Sequence, residues 1–125
     1  MEKDWERQGF VSVWVGRLQS EGDLRAYLHE QYQDDDAPLS EFASDWGLGW
    51  YDHDFVESRF TDEVGLANLL QPFSYADSFV EAAMQEGSRK GVVRVNCAVV
   101  VFNCHCSAEG RGPLIFLGSF PYVQM

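Results

Sequence analysis

The chain has 125 residues, 46% of them apolar and 14% aromatic, and a formal net charge of −11. That length suits one domain spanning residues 1–125 and able to bury roughly two-thirds of its unfolded surface, and the apolar content argues against disorder. No apolar run approaches the roughly 20 residues that cross a bilayer, and the carboxylate excess is repelled by nucleic acid and anionic membrane, so neither is expected as a direct partner.

The opening residues, Met1 to Arg7, are mostly charged and carry no apolar stretch, so a secretory signal is not expected there. Phe10 to Gly16 alternates around β-formers with apolar side chains on both faces, predicting a central strand covered on both sides. Ser20 followed by Asp23 is a variant capping box, and Leu24, Tyr27, Leu28 and Tyr32 continue it as the apolar stripe of a helix. Asp34-Asp35-Asp36 and Pro38 turn the chain, after which Leu39, Phe42, Ala43 and Trp46 repeat the helical spacing up to Gly47. Gly49 to Phe60 alternates aromatics with charges and reads as a short strand that is either at an edge or partly exposed. A third helix is predicted over Asp62–Leu70, and a fourth from a Ser74/Asp77 cap to Gly87, followed by a turn over Ser88–Gly91. Val92–Asn103 is the strongest strand, nearly continuous in apolar residues, and Pro113–Phe120 returns as its hairpin partner. The fold class is α+β: a mainly antiparallel sheet of an N-terminal strand plus a C-terminal hairpin, with three to four helices. An uncovered edge of that hairpin is where two copies could pair as a homodimer.

The charge is unevenly placed. Residues 1–20 and 64–125 each balance, whereas residues 21–63 hold thirteen acids against only Arg25 and Arg59. One contiguous third of the chain therefore carries the whole −11 and projects a field that attracts basic proteins.

Two constellations could carry chemistry. In Tyr51-Asp52-His53-Asp54-Phe55, a strand would place Asp52 and Asp54 on one face and His53 on the other, which opposes convergence on one metal ion. Carboxylates interleaved with aromatics fit a protein-binding surface better. Cys104-His105-Cys106, with Cys97 upstream, holds zinc-type ligands at a spacing that does not wrap one tetrahedral ion. Three cysteines in one region read instead as reduced, buried thiols of a cytoplasmic protein. No cofactor is implied, and no enzymatic activity is expected. Trp46 and Trp50 flank Gly47-Leu48-Gly49 and read as core or interface anchors. Glu109-Gly110-Arg111-Gly112-Pro113 lacks phosphate-loop spacing and reads as a turn.

Val11-Ser12-Val13-Trp14-Val15-Gly16, Ser20-Glu21-x-Asp23-Leu24-x-x-Tyr27-Leu28, Ser40-x-Phe42-x-x-Asp45 and Gly49-Trp50-Tyr51-Asp52-His53-Asp54-Phe55 together resemble the immunity protein 22 family of bacterial polymorphic-toxin loci. The resemblance spans residues 10–60 and implies a protein that neutralises a cognate toxin by binding it. Nuclease toxins are commonly basic because their substrate is a polyanion. The expected partner-binding residues are Asp34, Asp35, Asp36, Glu41, Asp45, Trp50, Tyr51, Asp52, His53, Asp54 and Glu57, with Tyr32 as a further anchor. Three rivals follow from the same residues: a DNA mimic inhibiting a DNA-binding enzyme, a metal-dependent hydrolase built on the Asp-His-Asp block, and a scaffold subunit with a merely solubilising acidic face.

Overall fold

Strand β1 (Glu6–Gly16) is apolar on both faces from Val11 onward, and the sheet places it where both faces are covered. In the computed structural model, which describes residues 6–30, 40–48, 53–106, 110 and 112–123, the chain continues through α1 (Glu21–Leu28), α2 (Glu41–Asp45) and β2 (Val56–Gly65). Then come α3 (Leu66–Leu70), α4 (Ala76–Arg89), β3 (Arg94–Cys104) and β4 (Ile115–Pro121). The four strands lie in the order β2-β3-β1-β4 with every neighbouring pair antiparallel. The α+β class with a mainly antiparallel sheet and four helices is as the sequence predicts. Among the described residues no helix is long and apolar enough to cross a membrane.

Alternation divides the interior into two cores, one on each side of the sheet. Val11, Val13, Val15, Ala98, Val100 and Phe102 face α3 and α4, where Leu69, Leu70, Phe79 and Ala83 meet them. Trp14, Cys97, Val99 and Val101 face α1 and α2, against Leu24, Tyr27, Phe42 and Trp46. Ser12 is the buried polar exception on the second face. Its hydroxyl donates to the Cys104 carbonyl at 2.8 Å, accepts from the Cys106 N–H at 3.1 Å, and shares a 2.7 Å bond with the Ser119 hydroxyl. A buried hydroxyl so satisfied ties the end of β3 and Ser119 of β4 to β1, the strand between them.

The predicted C-terminal hairpin is not formed. β1 lies between β3 and β4 and pairs with both, so the last two strands run parallel to one another with another strand between them. The chain leaves β3 at Cys104, beside the start of β1, and enters β4 at Ile115, opposite Val15 near its end. The connection therefore travels the length of β1 as a crossover, and its Cys106 and Leu114 are buried in the α1/α2 core. A pairing between β3 and β4 would have left β1, the strand with two apolar faces, at an edge.

The helix boundaries follow local chemistry except where tertiary contacts override it. Ser20 caps α1 by accepting from the Asp23 N–H, as expected, and the buried Ser40 caps α2 by accepting from the Ala43 N–H. Gly47 at φ +67° closes α2, with the Leu48 N–H donating to the Ala43 carbonyl at 2.9 Å. Gly91 at φ +75° ends α4 the same way, the Val92 N–H reaching the Gly87 carbonyl at 2.8 Å. The expected stop at Gly87 is thus wrong by a few residues, and no turn forms over Ser88–Arg89. Gly87 lies within α4, and an added Cβ there would fall 2.5 Å from Leu66 Cδ2, so this glycine makes room for that side chain. The expected Ser74 cap is also absent: Tyr75, at φ 57°, is the N-cap residue, and the Ser74 N–H donates to Glu57 instead. The helix predicted from Asp62 begins only at Leu66. Glu63 lies 3.8 Å from Arg17 and 3.4 Å from Arg94, holding residues 62–65 extended while Val64 and Gly65 pair with Val95 and Arg94.

Candidate partner-binding face

The acidic third of the sequence builds α1, α2, a 3₁₀ turn at His53–Phe55 and the edge strand β2. Of the expected binding residues, Asp34, Asp35, Asp36, Trp50, Tyr51 and Asp52 lie outside the described residues, as do Tyr32 and the side chain of His53. The strand expected over Gly49–Phe60 begins at Val56, with His53, Asp54 and Phe55 in the preceding turn. It lies at the sheet edge, one of the two settings expected.

Glu41 and Asp45 stand one turn apart on α2 and behave differently. Glu41 is exposed in the first turn, where the helix dipole favours a carboxylate. Asp45 is half-buried and accepts a 2.8 Å bond from the Tyr27 hydroxyl, which ties α2 to α1. Burial of that phenol, and then its bond to Asp45, push the Tyr27 hydroxyl well above the ordinary tyrosine range. Gly112 of the crossover lies directly on this pair, since an added Cβ would fall 2.5 Å from the Tyr27 hydroxyl oxygen and 2.7 Å from Asp45 Oδ2. Tyr27 and the crossover glycines are structural supports of α2 that the sequence alone did not reveal; the glycine pair read as a turn.

Asp54 is exposed, whereas Glu57 is half-buried on the other side of the sheet. Val56 and Phe60 pack on the α1/α2 core, so alternation sends Glu57 and Arg59 towards α3 and α4. There Glu57 accepts from the Ser74 N–H at 3.0 Å, and Arg59 donates to the carbonyls of Asn68 and Leu69 at 2.8 and 3.0 Å. Both bases of the acidic segment are thus engaged, because Arg25 bonds Glu21 at 3.2 Å. Glu41 and Asp45 share the α1/α2 side; Glu57 does not join them. Trp46 is core, its ring 5.7 Å from those of both Trp14 and Phe116.

The cysteines form no disulfide and are buried beneath the same face, while His105 is exposed, as alternation predicts. Burial pushes the Cys104 thiol up to about 12 and those of Cys97 and Cys106 up to about 11. Thiols held protonated are poor nucleophiles and poor ligands. Among the described residues no three His, Cys, Asp or Glu side chains gather as a metal site. Because the folded chain disfavours these thiolates, stability is intact below the ordinary thiol value of 9.0 and is lost as pH rises through it towards the folded values; the raised Tyr27 acts in the same direction. Urea midpoints are therefore expected to fall between about pH 8 and pH 11, and native thiols to resist an aromatic disulfide reagent at about pH 8 until urea is added. A flat midpoint, or fast native labelling, would contradict this burial.

Comparison with known proteins gives one finding. The model of a family described as Immunity protein 22 matches residues 11–123, which takes in β1 from Val11 onward and every later element to β4. No curated protein and no solved structure matches the chain.

Proposed function

The chain belongs to the Immunity protein 22 family, and from that membership we propose that it binds a basic, nuclease-type toxin and blocks it in the cytoplasm of the cell that makes both. The observation that carries this reading is the confinement of the whole −11 to residues 21–63, which form α1, α2 and the edge strand. A one-sided acidic field raises the encounter rate with a cationic surface, and that speed matters when the partner is toxic to its producer. Glu41 and Asp54 supply direct contacts, together with Asp34, Asp35, Asp36 and Asp52. Asp45 and Glu57, whose carboxylates are engaged within the fold, add to the field and hold the layers in place. Trp50, Tyr51 and His53 provide the apolar and aromatic contacts that slow dissociation.

The test uses the basic protein that this chain, as bait, captures from the lysate of its source cell, expressed alone and together with it. Co-expression is expected to rescue growth, and the purified pair to bind less tightly as salt rises. Replacing Asp52 and Asp54 together by Asn is expected to weaken binding about tenfold at low salt, with the difference shrinking at high salt. Rescue with an unchanged affinity and salt slope in that variant would remove this block from the contact. Failure to rescue would overturn the immunity reading itself.

A further inference from the structure

The two edges of the sheet are not alike. At β4, Pro121 lacks an N–H, the register shifts beside Gly118, and Lys90 of the α4 cap donates to the Phe116 carbonyl. Such devices keep an edge from accepting another strand. At β2, residues Val56 to Phe60 pair with β3 in unbroken register and contain neither proline nor glycine. Their side chains are turned up and down into the two layers, and among the described residues no strand pairs with the outer edge. A groove of about 240 Å³ between β2 and α1, with Leu24, Leu28 and Phe60 in its wall, flanks that edge on one side. On the other side lies a groove of about 330 Å³ against Pro72 and Phe73, and Ser58 and Arg59 line both.

We propose that the Val56–Phe60 edge accepts an extended, cationic strand of the cognate toxin as a fifth strand of the sheet. This rests on the immunity reading above and names the mode of contact. An added strand bonds its main chain to the edge and sends alternate side chains to opposite faces, and one groove waits on each face. Charge selects the occupant. The described part of residues 21–63 around that edge holds nine carboxylates against two guanidiniums, Arg25 paired with Glu21 and Arg59 held on the α3 carbonyls, so the surroundings stay net negative although both arginines line the grooves. A strand alternating apolar residues with Lys or Arg fits that edge, whereas a second copy of this chain would bring its own −11 against it.

The probe is the full-length chain with the purified toxin whose growth arrest it relieves, followed by amide hydrogen exchange and by affinity. Binding is expected to slow exchange of alternate amides within residues 56–60 by at least about tenfold. Ser58 is exposed, so Ser58→Lys and Ser58→Glu are both expected to fold with the parent's melting temperature. Ser58→Lys should raise Kd at least about tenfold, and Ser58→Glu should leave it equal or lower. Toxin binding with unaltered exchange at residues 56–60, or equal losses in both variants, overturns strand addition and leaves the immunity reading standing. Protection of these amides in the free chain that grows with its concentration assigns the edge to a second copy and also overturns it. Absence of any toxin binding removes the immunity reading and this inference with it.

Discussion

Trp14→Ala is expected to cost about 3–5 kcal/mol of folding stability, the largest single-residue effect in the α1/α2 core. The indole is fully buried and meets three rings, Phe42 at 4.8 Å, Phe116 at 5.1 Å and Trp46 at 5.7 Å between centroids. These neighbours cannot collapse into the space it leaves. Phe42 is held by α2 and also stacks edge-on to Tyr27 at 5.8 Å, while Phe116 is fixed in β4 opposite Trp14 itself. A loss of that size is a large part of the roughly 5–15 kcal/mol that stabilises a domain, and it lowers the melting temperature by on the order of 10–20 °C. Trp14→Phe should lose much less, about 1–2 kcal/mol, because the ring stack survives and Trp14 Nε1 has no hydrogen-bond partner among the described residues. Urea and thermal unfolding of both variants check this. A loss below about 1 kcal/mol in Trp14→Ala would mean that the core yields where packing says it cannot.

Local chemistry made most elements legible. Ser20 declares a helix start by its own hydroxyl, Gly47 a helix end by its own φ, and Val11 to Val15 and Val99 to Phe102 announce two-sided burial through apolar residues on both faces. What local chemistry does not encode is neighbourhood. The pattern of β3 and β4 is equally compatible with a hairpin and with an intervening strand, and only β1's need for cover on both faces decides between them. Gly87 was legible as a helix breaker but not as room for Leu66, and Glu63 as a helical acid but not as the partner of Arg17 and Arg94.

The same distinction holds at the candidate face. Charge is a sum, so the acidic segment is visible in sequence. The use of each carboxylate depends on contacts across the fold: Asp45 is directed inward by Tyr27 and Glu57 is turned to the opposite layer by strand alternation, leaving Glu41 and Asp54 exposed.

The crossover that replaces the hairpin carries the second large effect. Gly110→Ala is expected to destabilise the chain by about 2–3 kcal/mol, at the upper end for overpacking. An added Cβ would lie 2.1 Å from Trp46 Cε3 and within 2.7 Å of two further indole atoms. A flexible side chain could swing away from such an approach, but this ring is wedged between Trp14 and Phe116. Either α2 lifts or the crossover does, and both disturb the contact of Gly112 with Tyr27 and Asp45. Gly22→Ala is the fitting control, because its Cβ would meet nothing nearer than 3.6 Å and it lies within α1. That substitution should stabilise by up to about 1 kcal/mol through the lower entropy of the unfolded chain. Trimming the ring should relieve the clash, so Trp46→Leu combined with Gly110→Ala should cost less than the two losses added together. Urea unfolding of the four variants measures each quantity. Strict additivity of the Trp46 and Gly110 changes, or a cost under about 0.5 kcal/mol for Gly110→Ala, would show that the crossover does not hold α2. Where the expected coupling appears, Glu41 and Asp45 are set over the sheet by a glycine of the crossover.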